Sequence, residues 1–270
     1  MKTLIVGDLH LKVRVILPLV DVAIQTQGVQ RIIFVGDYVD DWYCQQDTEL
    51  YLSELDALLA WKQRQQATGL EIVMLLGNHD APYLVDHTRV YSLRFDRSQV
   101  KAKLMALDLQ VAYLLDGILV SHAGFAQGEG LQPWYLKPLT PNHLDAIDTL
   151  ERRDSIQDGG FDQTGSPLWL RPNLLMDRPN LKYRKQIFGH TPQTEISLSH
   201  WNHERVPFID VDNFNLRPMG MPPYVAFHGA GELLLVEDGV ASVIPTGWDQ
   251  KPDLLIQVAK QRKYDVEGDL

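Results

Sequence analysis

TLIVGDLH (residues 3–10), IIFVGDYVD (32–40) and IVMLLGNHD (72–80) repeat one device within the first eighty residues. In each, an apolar run ends on a glycine and then delivers Asp, Asn or His. The runs at 3–6, 32–35 and 72–76 are rich in Ile, Val, Leu and Phe and do not alternate with polar residues, which predicts central strands of a mostly parallel sheet covered on both faces. Strands of that kind present chemistry only at their carboxyl ends. Those ends carry Asp8, His10, Asp37, Asp40, Asp41, Asn78, His79 and Asp80. One Gly-Asp or Gly-Asn is explained by a turn after a strand. Three in series, two of them adding a His, gather carboxylates that repel one another unless a cation neutralises them. The mixture of carboxylate, imidazole and amide oxygen suits a divalent metal of intermediate hardness.

Working outward, residues 12–27 stop before Gly28 and read as a crossover helix. Residues 48–67 place Leu50, Leu52, Leu55, Leu58, Leu59 and Trp61 on a usable apolar face before Gly69. The order is β-α-β-α-β, the pattern of a parallel α/β sheet. A third helix is expected near 97–107. In VAYLLDGILVSHAG (111–124) Asp116-Gly117 separates two apolar runs and predicts a hairpin whose second strand ends on Ser121-His122. The stretch 125–180, rich in Gly, Pro, Asp and aromatics with a helix about 141–153, reads as an insertion or lid over the sheet edge within a single domain, 1–270. KQIFGHTP (185–192) repeats the opening device on Gly189-His190. Strands are expected at 206–211 and in the hairpin 225–245, where Asp238-Gly239 marks the turn, and a short helix in the polar tail 250–270.

A chain of 270 residues with 45% hydrophobic and 22% charged residues has ample material for a core. The formal net charge of −10 argues against nucleic acid and anionic lipid as partners. It leaves phosphate esters open where metal ions and arginines reverse the sign locally. There is no long apolar stretch and no leader-like start, so a cytoplasmic protein without membrane attachment is expected. Cys44 is a lone thiol among Asp40, Asp41 and Asp47, a setting that disfavours a thiolate nucleophile.

Taken in order, GDLH, GDYVD, GNHD, SHAG and GHT resemble the motif set of the calcineurin-like metallophosphoesterases, closest to the phosphoprotein (serine/threonine) phosphatase branch with its bacterial and phage enzymes. IDVDN (209–213) is similar to that family's closing strands. The resemblance implies an α/β fold of four layers, an α/β/β/α sandwich with mixed sheets, and two metal ions, Mn, Fe, Zn or Co. It implies that Asp8 and His10 hold the first ion, that Asp37 bridges both, and that Asn78, His122 and His190 complete the second. A bridging carboxylate would hold the cations about 3.5–4 Å apart, with a bridging hydroxide as the nucleophile. In the same resemblance His79 is the general acid, Asp40 its orienting partner, and Arg171, in SPLWLRPN, contacts substrate phosphate together with Asn78.

The chain departs from the family at two places. GDYVDDW has Asp41 where the pattern GDxVDRG has Arg, removing one phosphate clamp. GHTP has Pro192 where the wider superfamily often has a second His. The expected activity is hydrolysis of a phosphomonoester, phosphoserine and phosphothreonine included, on a small molecule or a phosphoprotein. Two alternatives stay open: a phosphodiesterase or dinucleoside polyphosphate hydrolase with the same site, and a catalytically silent binding scaffold of the fold. His200 and His203 read as surface, and His87, His143 and His228 as isolated. Among the aromatics Trp42 and Trp169 are expected to face a cleft.

Overall fold

The computed structural model describes residues 1–154, 162–219 and 224–261. Five strands form the first sheet: β1 (Thr3–Val6), β2 (Arg31–Phe34), β3 (Glu71–Met74), β10 (Leu233–Glu237) and β11 (Val240–Ile244), in the order β11-β10-β1-β2-β3. β1, β2 and β3 run parallel, and β10 and β11 extend the sheet antiparallel, so it is mixed. The second sheet has the order β4-β5-β6-β7, from β4 (Ala112–Leu115), β5 (Ile118–Ser121), β6 (Gln186–Phe188) and β7 (Phe208–Asp210).

The unalternated runs have a direct physical reason. Successive side chains of a strand point to opposite faces, and here both faces are covered. Ile5, Ile33 and Val73 meet Val120, Ile187 and Ile209 of the second sheet. Leu4, Val6, Ile32 and Phe34 pack instead with the helices α1 (Val13–Gln27) and α2 (Thr48–Ala67). Full burial of each such side chain contributes about 1.5–3 kcal/mol. Trp61 of α2 sets its ring edge-on to Phe34 at 5.6 Å and donates from Nε1 to Asp21 of α1 at 2.8 Å, locking both helices onto the sheet. Asp47 caps α2 by accepting from the Leu50 amide at 3.0 Å.

Further along lie α3 (Ala81–Leu84), α4 (Arg97–Met105), α5 (Leu144–Glu151), α6 (Pro172–Asp177) and α7 (Pro252–Gln261). The outer face of β6 and β7 is closed by Leu170 and Leu175 against Phe188 and Phe208. The order helices, sheet, sheet, outer cover is the four-layer α/β/β/α arrangement.

One element differs from expectation. β8 (Leu216–Met219) and β9 (Tyr224–Phe227) pair as a separate two-stranded ribbon. The run expected to form one strand with β10 breaks at His228-Gly229-Ala230-Gly231, so β9 turns to β8 and only β10 and β11 form the hairpin about Asp238-Gly239. Part of the polar tail, 262–270, lies outside the described residues, as does 155–161 within the stretch 125–180. Among the described residues no helix is long and apolar enough to cross a membrane.

Candidate functional site

The ends of β1, β2, β3, β5 and β6 converge at one edge shared by the two sheets. At the ends of β1, β2, β3 and β6 a glycine before the polar residue is what lets them meet. A Cβ at Gly77 would overlap the Asp37 carboxylate, and a Cβ at Gly189 would overlap that of Asp8. His10, Asp37, Asp40 and His190 all have positive φ, between 40° and 74°, a region that costs about 1–2 kcal/mol for a side-chain-bearing residue. Strain of this kind concentrates where a tight constellation over-determines the backbone.

Asp37 lies at the centre. Its Oδ2 is 3.6 Å from His10 Nε2 and 3.5 Å from His122 Nε2. Two groups of ligand atoms, each within 4.8 Å, share it: His10, Asp37 and His79, and Asp37, His122 and His190. Asn78 Oδ1 sits 2.7 Å from His122 Nε2 and 2.8 Å from His190 Nδ1, so an amide oxygen and two ring nitrogens point at one place. Asp8 Oδ2 lies 4.0 Å from His10 Nε2 and accepts the His190 amide at 3.1 Å.

The donor set fits divalent cations. His10 Nδ1 lies 2.9 Å from the Asp40 carbonyl, and His122 Nδ1 lies 2.9 Å from the Val35 carbonyl. Such bonds fix the tautomer and leave Nε2 as the lone-pair nitrogen turned to Asp37. Among the described residues, Asp8 Oδ1 and His190 Nε2 are buried without a hydrogen-bond partner, as is Asp212 Oδ1. Buried polar atoms of that kind are uncommon and call for a ligand. The electrostatics agree. Burial holds His10 and His190 well below the ordinary histidine value and brings His122 down to about 3, keeping all three neutral. Burial, then Asp212 and Asp37, raise the Asp8 carboxyl, and burial pushes that of Asp37 up to about 8. Carboxylates held this reluctantly ionised are short of positive charge.

His79 behaves differently. Burial by itself would lower it, but the Asp37 charge and the Asp40 hydrogen bond outweigh burial and raise it to about 9. Its Nδ1 is 3.3 Å from Asp40 Oδ2, while Asp40 Oδ1 accepts the hydroxyls of Tyr51 at 2.7 Å and Tyr83 at 2.5 Å. An imidazole that keeps its proton is unsuited to coordinate a cation and suited to donate that proton.

His10, Asp37, Asp40, Asn78, His79 and His190 floor a cleft of about 710 Å³. Trp42, exposed to 61%, and Trp169 both line it, as expected. Trp169 is held from behind: the Arg89 guanidinium lies 4.9 Å from its ring centre and pairs with Glu151 and Asp154. Arg171 also lines the cleft, its Nη1 donating to the His190 carbonyl at 3.0 Å and to Thr191 Oγ1 at 3.2 Å. At position 41 the carboxylate meets a cation from elsewhere, since Lys12 Nζ lies 3.2 Å from Asp41 Oδ2 and donates to the His10 carbonyl.

Sequence reasoning missed several participants. Asp212, two residues beyond β7 and 1% exposed, lines the cleft and helps to raise Asp8. Its signal was the familiar apolar strand followed by an acid, without the glycine. Lys12, Tyr91, Arg217 and His228, all lining the cleft, were also not singled out for these positions. Cys44 is buried and donates to the Trp42 carbonyl, and His200 stacks on Phe208 at 4.7 Å.

Comparison with known proteins gives the same picture. A search of curated protein sequences found no match. Among solved structures, the cold-active protein-tyrosine phosphatase of a psychrophilic Shewanella species superposes with a TM-score of 0.54 at 17% identity, over 92% of this chain and 78% of that one. A Saccharomyces cerevisiae protein serine/threonine phosphatase, described as similar to human phosphatase PP5, gives 0.50 at 13% identity over 91% and 80%. At such identities these likenesses speak for the fold. The sequence model of the calcineurin-like phosphoesterases matches residues 1–217. The chain therefore belongs to the calcineurin-like phosphoesterases, metal-dependent hydrolases of phosphate esters.

Proposed function

We propose that the protein is a phosphatase that hydrolyses phosphomonoesters, phosphoserine and phosphothreonine included, with two metal ions at the Asp37 centre. The observation that carries this reading is the place of Asp37 between His10 on one side and His122 and His190 on the other, next to the His79 imidazole that keeps its proton. Asp8 and His10 would hold one ion, Asn78, His122 and His190 the other, with Asp37 between them. Mn, Fe, Zn and Co all accept this donor set. When bound, such ions supply Lewis-acid polarisation of the phosphoryl oxygens and a water acidified enough to attack phosphorus at neutral pH.

The remaining work falls to the chain. Arg171, fixed by the His190 carbonyl and Thr191, presents a guanidinium to phosphate oxygens, and Asn78 orients the group from the floor. His79 protonates the leaving oxygen from Nε2 while Asp40 holds Nδ1 and, through two tyrosine hydroxyls, is itself held. The described part of the stretch 125–180 acts as a cover that brings Trp169 and Arg171 to the cleft.

The test is turnover of 4-nitrophenyl phosphate by protein loaded with manganese. Activity lost in Asp37→Asn together with loss of both metal equivalents supports the proposal, and an inactive manganese-loaded wild type overturns it. Turnover of bis(4-nitrophenyl) phosphate at an equal or higher rate would move the assignment to phosphodiesters.

A further inference from the structure

The β8–β9 ribbon forms one side of the cleft, and its pleat decides what it shows there. Leu216 pairs with Phe227 and Arg217 with Ala226. Phe227 packs on Trp248 at 5.3 Å, and Leu216, 9% exposed, joins the core while also touching the cleft, so that pair is turned mainly inward. The alternate residues therefore share the other face: Arg217, Ala226 and, one step further along, Asn215 opposite His228, where the His228 amide donates to the Asn215 carbonyl at 2.9 Å. Asn215, Arg217 and His228 all line the cleft.

Charge makes this row distinctive. The chain carries a net −10, and Asp37, Asp40, Asp41 and Asp212 all line the cleft. Of the cleft's other cations, Lys12 is paired with Asp41, and Arg171 is fastened to His190 and Thr191. The Arg217 side chain makes no hydrogen bond or ion pair with any described residue. The Asn215 carboxamide is turned to Asp212, donating from Nδ2 to its carbonyl at 3.0 Å. A guanidinium mounted on a strand, beside an imidazole and facing a cleft otherwise rich in acids, is arranged for an anion that arrives from outside. The cleft, at about 710 Å³, is within the range that accommodates a whole organic ligand. Its wall next to the metal centre is aromatic and apolar through Trp42, Val90 and Trp169.

We propose that Arg217, assisted by His228, is a second anion-binding site that takes a carboxylate or phosphate carried on the leaving-group side of the substrate. The preferred substrates are thus phosphate esters with a second negative charge. This deepens the proposed phosphatase reading and rests on it.

The test uses non-hydrolysable probes on the full-length, manganese-loaded protein: ω-phosphonoalkanoates of increasing chain length, each against its neutral ω-amide, by titration calorimetry. At one chain length or more the acid is expected to bind about fivefold tighter than the amide, the scale of an exposed ion pair. The preference should shrink in molar salt. Arg217→Gln should abolish it while leaving amide affinity unchanged, and His228→Gln should reduce it. An acid series that binds no better than the amides at every length, including one in which neither binds, overturns the proposal, as does a preference that survives Arg217→Gln. Turnover of 4-nitrophenyl phosphate, which has no second anion, separates the two readings. Turnover without acid preference removes only the Arg217 site, and acid preference without turnover retains that site and removes the phosphatase reading.

Discussion

Asp80 is buried completely, and its carboxylate accepts three backbone amides. Oδ2 takes those of Asp37 at 2.8 Å and Gly77 at 3.0 Å, and Oδ1 takes that of Tyr38 at 2.9 Å. The bonds tie the end of β2 to the end of β3 and hold Asp37 at a φ of 54°. In Asp80→Asn only one accepting oxygen remains. The better orientation keeps it on Asp37 and Gly77 and turns the amide nitrogen toward the Tyr38 amide, so that one buried donor loses its partner. That costs about 1–3 kcal/mol. For a chain of this size about 2 kcal/mol lowers Tm by about 4–8 °C. Asp80→Ala loses all three bonds and should cost at least about 4 kcal/mol. Burial pushes the Asp80 carboxyl up to about 6 although the three amides pull it down, so thermal and urea denaturation belong at a pH well above that, where the wild type is ionised. Metal-free protein is required, because a bound cation would also tether Asp37. A Tm for Asp80→Asn equal to wild type, or below that of Asp80→Ala, would refute the clamp.

The other predictions concern proton transfer, metal and the far wall. His79→Asn should slow poor alkyl leaving groups by about 10²–10⁴-fold and good aryl ones far less, and equal losses on both would remove His79 as the acid. Asp40→Asn takes away one of the three carboxylates, with Asp37 and Asp80, that raise His79 to about 9. Activity needing protonated His79 is lost as pH rises through the His79 pKa, so the alkaline limb of kcat for an alkyl phosphate should move to lower pH in the variant, and an unmoved limb would count against the pairing. Manganese binding near pH 7 should release a proton from Asp37, whose carboxyl burial pushes up to about 8, and the release should fade above pH 8. Calorimetry in buffers of different ionisation enthalpy reads this, and no release at pH 7 would contradict it. Glu151, fully buried, lies 2.5 Å from His87 Nδ1 and takes Arg89 Nε at 2.6 Å. Glu151→Gln should cost about 3–5 kcal/mol in urea denaturation, as expected for a broken buried pair, and a loss below about 1 kcal/mol would place it with exposed pairs.

Why the first three motifs announced the site, and the rest of the cleft stayed hidden, follows from what each residue depends on. Asp8, Asp37 and Asn78 follow glycines at strand ends, and both facts are local. A strand buried on two faces must be apolar throughout, and a glycine is needed where a Cβ would collide with a neighbouring ligand. His190 repeats the device after Gly189, and His122 ends the hairpin strand that Asp116-Gly117 announces, so they too were legible. Lys12, Asp41 and Glu151 follow a different logic, because each is defined by a partner far away in sequence, and only the packed layers bring the pair together. Asp80 acts through backbone amides, which leave no mark in the sequence. β8 and β9 were harder still. Leu-Arg-Pro-Met has no strand pattern, and its pairing is set by the break after Phe227 and by Phe227 docking on Trp248. Reading Asp41 as a missing cation was therefore incomplete. The carboxylate there engages Lys12, and the cleft's unengaged guanidinium arrives from a ribbon that residue periodicity does not reveal, so the site's charge balance is a property of the assembled cleft rather than of any one motif.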